Sequence, residues 1–275
     1  MLVPRTRRRS PARAAAVVLA VVVAAVSTAL LLLHLAGAAW YVVETPSMGQ
    51  AAPVGTLVVS APVRIESVRV GDVVTYTPPG GSSSTITHRV VAVRADGLRT
   101  RGDVNGAEDP WTLSDADVRG RAVALVPGAG WLLRAAPLLL GGLAAVVALG
   151  VLVRDRAARA ALQALGCSAV VCATVLVFRP LVNAAVQSVQ VGAAGTTVRL
   201  VGTGMLPVRV TAYGRSMDLT DGRAGLLRLP NGTTGRIELT TALHLEPWGW
   251  ALFTAVCALP LLAVVLRCGS RGVAA

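Results

Sequence analysis

Lysine is absent from this chain of 275 residues, and all 26 basic residues are arginine. Chemistry that needs a lysine general base or a Schiff-base lysine is therefore excluded on this chain's own side chains. Histidine is scarce too, at three residues, His34, His88 and His244. Cysteine is limited to Cys167, Cys172, Cys257 and Cys268, all within apolar runs or at the end of one. That placement supplies neither a disulfide framework nor metal-ligand spacing, and a small buried apolar role fits all four. Acids number 14, which leaves a net charge of +12.

What is abundant is apolar. Hydrophobic residues make up 54% of the chain, and the mean hydropathy is +0.64. Soluble domains sit lower, so membrane segments are expected. Four stretches reach the roughly 20 residues that a spanning helix needs: 14–38, 135–153, 160–178 and 248–266. Gln163, Ser168 and Thr174 interrupt the third. The segments 1–13, 154–159 and 267–275 between and beyond these stretches hold ten arginines and one acid, Asp155. An arginine excess marks the cytoplasmic side, so these three segments are expected there. They carry +9 of the +12, which removes any need for a nucleic-acid partner. Trp40, Trp131, Trp248 and Trp250 fall at the predicted outer ends of spans, where indole rings favour the headgroup region. Ala36-Gly37-Ala38 resembles a signal-peptide cleavage site, but the apolar run before it is longer than an h-region. A retained anchor is expected.

Two segments are left outside the membrane, 39–133 and 179–247. In the first, residues 56–59, 72–76, 87–93, 98–101 and 119–125 read as short strands punctuated by Gly, Pro, Ser and Asp. In the second, residues 198–201, 208–213, 225–229 and 235–240 do the same. The expected fold is an α+β membrane protein: four transmembrane helices, a mostly antiparallel extracytoplasmic β domain, and a second small β-rich extracytoplasmic segment. The second segment shows no cluster of His, Cys or paired acids, and no internal repeat relates it to the first.

Chemistry concentrates in residues 39–133. His34 lies in an apolar run and His244 beside one, where structural or interfacial roles suffice. His88 opens a predicted strand. Upstream lies Thr45-Pro46-Ser47-Met48; downstream lie Gly102-Asp103-Val104-Asn105 and Asp109-Pro110-Trp111. A serine is a poor nucleophile until an imidazole takes its proton, and a carboxylate on the other ring nitrogen fixes the tautomer. Ser47, His88, Asp103 and Asp109 are the candidate set. Asp72 and Ser82–Ser84 read as ordinary turn and loop residues.

The order and spacing of several blocks resemble the signal peptidase I family, in its archaeal and endoplasmic-reticulum-like Ser–His branch. The blocks are Pro46-Ser47-Met48 with Pro53–Val58, Val70–Tyr76, Thr87–Val91, Thr100–Asn105, Asp109-Pro110-Trp111 and Val118–Ala122. Together they cover about a third of the chain. The resemblance implies a membrane serine endopeptidase that cuts exported precursors at the outer membrane face. Ser47 would be nucleophile and His88 general base, and Asp109 or Asp103 would orient His88, with Asp109 favoured. Secretory precursors and the bilayer would be its partners, without metal or cofactor. One departure stands out: Gly49-Gln50-Ala51-Ala52 separates Met48 from Pro53, where the family pattern has a single residue. This departure and the extra segment 179–247 motivate an alternative, a non-catalytic membrane adaptor with the same fold. A transporter is disfavoured, since the spans hold few ionisable groups.

Overall fold

The structure, a computed structural model, describes residues 37–80, 84–178, 181–192, 195–230 and 237–252, with isolated positions at 21, 28, 32, 35, 254, 255 and 258. Six strands form the first sheet: β1 (Ala39–Val42), β2 (Leu57–Ala61), β3 (Val73–Tyr76), β4 (Ile86–Arg94), β5 (Gly97–Arg101) and β6 (Val118–Val126). Their order is β1-β2-β6-β3-β4-β5, and every pairing is antiparallel. β-branched and aromatic residues such as Val, Thr and Tyr favour these strands, in which successive side chains face opposite sides. β3 is buried on both faces. Val74 and Tyr76 join Val90, Leu98 and Leu113 in one core, whereas Val73 joins Val58, Met48 and Ala52 in another. Fully burying an aliphatic side chain of this kind contributes about 1.5–3 kcal/mol. Register shifts at Val59/Ser60, Thr75/Tyr76 and Val90/Ala92 bend the sheet around these cores.

Two helices follow, α1 (Ala129–Leu152) and α2 (Arg156–Phe178). Each is long and apolar enough to cross a membrane. Leu140, Val151, Leu165 and Leu176 point outward, away from any protein core. The two pack on each other through small residues. A methyl added at Gly142 would sit 2.7 Å from Val170 Cγ1, and one at Gly166 would sit 2.8 Å from Val146 Cγ2. Such close approach is how helices associate where no water drives them together. At the tight connection, Asp155 Oδ2 accepts from the Ala158 N–H at 2.6 Å and caps α2.

The chain then forms β7 (Ala184–Gly192), β8 (Gly195–Gly202), β9 (Val208–Ala212), β10 (Arg215–Leu219), β11 (Ala224–Leu229) and β12 (Thr240–Leu243). They make two three-stranded sheets, β11-β8-β7 and β10-β9-β12. Val198, Leu200, Val208, Val210, Leu219, Leu227 and Leu229 form the core between them.

The expected architecture of four transmembrane helices with a small second β segment is thereby corrected. Among the described residues two helices, not four, meet the length and composition of a span, and strands dominate the fold. The expected spans 14–38 and 248–266 lie largely outside the described residues, as do His34, Cys257 and Cys268. Between the expected spans, Val and Leu of both β segments fill β cores, which is why strands dominate the described residues.

Candidate active site

Three elements bring the candidate residues together. Ser47 lies in the 3₁₀ stretch Pro46–Ala51, a few residues after β1. Proline in the first turn presets its entry. His88 lies on β4 opposite Val74 of β3, which places Tyr76 diagonally across on the same face. Thr100 of β5 pairs with Val90, two residues beyond His88, so it shares that face as well. Asp109 follows β5, and its N–H donates to the Thr100 carbonyl at 2.9 Å.

His88 Nε2 is 3.0 Å from Ser47 Oγ, and His88 Nδ1 is 2.8 Å from Asp109 Oδ2. His88 and Asp109 are only 5% and 7% exposed, so little water competes for these bonds. Thr100 Oγ1 donates to the same carboxylate oxygen at 2.6 Å, and Tyr76 Oη donates to it at 2.9 Å. Burial pushes the Asp109 carboxyl up, but the hydrogen bonds from His88, Thr100 and Tyr76 outweigh it. The net effect holds the carboxyl below the usual carboxylate range. Burial, reinforced by the Asp109 charge, pushes the Tyr76 phenol well above its ordinary value, so it remains a donor.

These facts settle the imidazole tautomer. An ionised Asp109 can only accept, so Nδ1 carries the proton of neutral His88. Nε2 then presents its lone pair to the Ser47 hydroxyl. A neutral imidazole in that orientation can remove the hydroxyl proton, and the buried carboxylate stabilises the imidazolium that results.

Asp103 goes elsewhere. Arg89 Nε and Nη2 clamp its two carboxylate oxygens at 2.9 and 2.7 Å, and Arg89 Nη1 also donates to the Gly71 carbonyl at 2.9 Å. Arg89 follows His88 on β4 and therefore faces the opposite side of the sheet. Asp103 thus braces the turn after β5. That turn touches the nucleophile from behind, since the Val104 N–H donates to the Ser47 carbonyl at 3.0 Å. His244 lies in the second β domain, where Arg209 Nη2 donates to its Nε2 at 2.9 Å.

Ser47 and His88 open on a cleft of about 850 Å³ between residues 40–45 and 84–88, bordered also by Asn105 and by Arg134 of α1. Arg134 Nη2 donates to Glu44 Oε1 at 2.7 Å across one end of it. Thr45 Oγ1 sits 3.4 Å from Ser47 Oγ, and either hydroxyl can donate to the other. Tyr76, Thr100, Thr45 and Asn105 were not recognisable in the sequence as site residues. Tyr76 and Thr100 do occupy alternating positions of predicted strands, but only strand register aims both at one carboxylate. Among the described residues, no three His, Cys, Asp or Glu side chains gather as a metal site.

No family model matches the chain, and neither a curated protein nor a solved structure matches it.

Proposed function

We propose that this chain is a membrane-bound serine endopeptidase that removes signal peptides from exported precursor proteins at the outer membrane face. The observation that carries this reading is the continuous relay Ser47 Oγ, His88 Nε2, His88 Nδ1, Asp109 Oδ2, with its serine end in a cleft. Ser47 attacks the scissile carbonyl while His88 takes its proton. His88 then gives that proton to the leaving amine, and water hydrolyses the acyl-enzyme by the same route. Proton transfer by a positioned base of this kind contributes typically about 10²–10⁴-fold in rate.

The substrate assignment draws on the cleft's edges and on its position. β1 is an edge strand, and Ile86–His88 pair with β3 alone, since β5 joins β4 only from Arg89 onward. An extended peptide backbone suits the space between two such edges. The cleft also abuts α1 through Arg134. With α1 and α2 crossing the bilayer as a hairpin, Arg154, Arg156 and Arg159 mark their connection as cytoplasmic, and both β domains lie on the opposite face. A precursor whose apolar core rests in the bilayer then presents its cleavage site at the height of Ser47. The resemblance of the motif blocks to signal peptidase I supports the same substrate class.

The test is cleavage of a secretory precursor in membranes containing wild type, Ser47→Ala or His88→Ala at equal abundance. Wild type should release mature product and both variants should not. An inactive wild type, or a Ser47→Ala variant that cleaves normally, would favour the adaptor reading.

A further inference from the structure

Among its described residues the second β domain gathers no three His, Cys, Asp or Glu side chains, yet it reaches the nucleophile through one turn. Arg199 of β8 donates from Nη1 to the Val104 carbonyl at 3.3 Å. Gln187 of β7 donates from Nε2 to Asn105 Oδ1 at 2.9 Å. On its other side the same turn donates the Val104 N–H to the Ser47 carbonyl. A third contact bypasses the side chains. Gly49, two residues after Ser47, has φ 53° and lies so close to Gly222 that a methyl on Gly222 would be 2.5 Å from the Gly49 carbonyl oxygen. Gly49 opens the four-residue stretch between Met48 and Pro53, so the unusual stretch after the nucleophile is also the stretch that meets the second β domain.

We infer that the second β domain is a positioning module for Ser47: Arg199 and Gln187 lock the turn containing Val104 and Asn105, and that turn fixes the backbone of the nucleophile. This role rests on the peptidase reading. Neither Arg199 nor Gln187 borders the cleft, so both act through other residues. A nucleophile displaced by a fraction of its bond length to His88 loses rate without losing substrate affinity. The inference therefore separates from a precursor-docking role, in which affinity would change and the intrinsic reactivity of Ser47 would not.

The experiment uses the full chain in nanodiscs, with Arg199→Ala, Gln187→Ala and the donor-retaining Arg199→Lys. Three quantities are read: amide exchange at Val104, kcat and KM on a precursor with a signal peptide, and acylation of Ser47 by a small fluorophosphonate. Protection at the Leu200 amide in the core of β8 reports that the second domain remains folded. If Arg199→Ala unfolds it, Gln187→Ala carries the test. Val104 exchange should accelerate in both alanine variants. The kcat and the acylation rate should fall together by about tenfold with KM unchanged, and Arg199→Lys should recover most of the loss. Unchanged Val104 exchange overturns the inference, as does a rise in KM with normal acylation. A wild type that neither cleaves nor acylates counts against the peptidase reading instead, and Val104 exchange then judges the brace alone.

Discussion

Asp109 illustrates how a buried carboxylate stays charged. Its Oδ2 accepts from His88, Thr100 and Tyr76 within 2.9 Å, which offsets the cost of burial. Asp109→Asn keeps the shape but offers His88 the wrong partner, so kcat should fall by about 10³–10⁴-fold with KM little changed in precursor cleavage. The same residue links pH to stability. Its folded carboxyl titrates below the unfolded value, so its stabilising contribution is complete above that value and fades as pH falls through the folded one. Thermal unfolding should show Asp109→Asn less stable than wild type near neutral pH, with the gap narrowing as pH falls below the ordinary carboxylate value of about 4. Asp221 is the opposite case. One of its oxygens is buried without a partner, and burial raises its carboxyl to about 6 despite a bond from the Gly222 backbone. The folded state holds this proton more tightly than the unfolded one, so ionisation costs stability as pH rises from the unfolded value, and the deficit is complete above the folded one. Asp221→Asn should raise Tm at about pH 8 and leave it unchanged at about pH 3.5.

Elements meet here at glycines. The 3₁₀ stretch after β1 turns at Gly49, and the loop between β10 and β11 turns at Gly222, whose φ is 67°. Gly222→Ala would place a methyl against the Gly49 carbonyl in a left-handed conformation that L side chains rarely adopt. A loss of about 1–3 kcal/mol is expected, read as a lower denaturation midpoint, with a fall in Ser47 acylation as well if the contact positions the nucleophile. The strands were largely legible as runs. Residues 72–76 and 87–93 fall on β3 and β4, because β-branched and aromatic runs bounded by turn residues are a local signal. β1, β7 and β10 were not foreseen, and the expected strand 235–240 meets β12 only at Thr240, with 237–239 outside any strand. The Trp40 ring of β1 looks like an interface anchor in isolation, and β7 and β10 carry Ala, Gln, Ser and Arg with little alternation.

At the scale of the molecule, α1 and α2 form a hairpin that returns the chain to the side it left. The contacts of Gln187 and Arg199 with Asn105 and Val104 require both β domains to share that side. Leu140 of α1 is 68% exposed and would face lipid. Leu140→Arg should impair insertion by about 2.5–3.5 kcal/mol, read as loss of full-length chain from carbonate-washed membranes. Ser47, His88 and two aspartates were visible as components, since each sits in a recognisable local block. Between the aspartates the motif resemblance favoured Asp109, but no local pattern showed the contact that decides it. Asp103 and Asp109 are six positions apart in turn-rich chain, and only the β4–β5 register sends one to His88 and the other to Arg89 on the opposite face. The brace was hidden for the same reason at longer range, because Gln187 meets Asn105 across 82 residues. Periodicity and turn chemistry are short-range properties and decide which elements form. Which side chains then touch depends on how distant elements pack, and no local pattern encodes that.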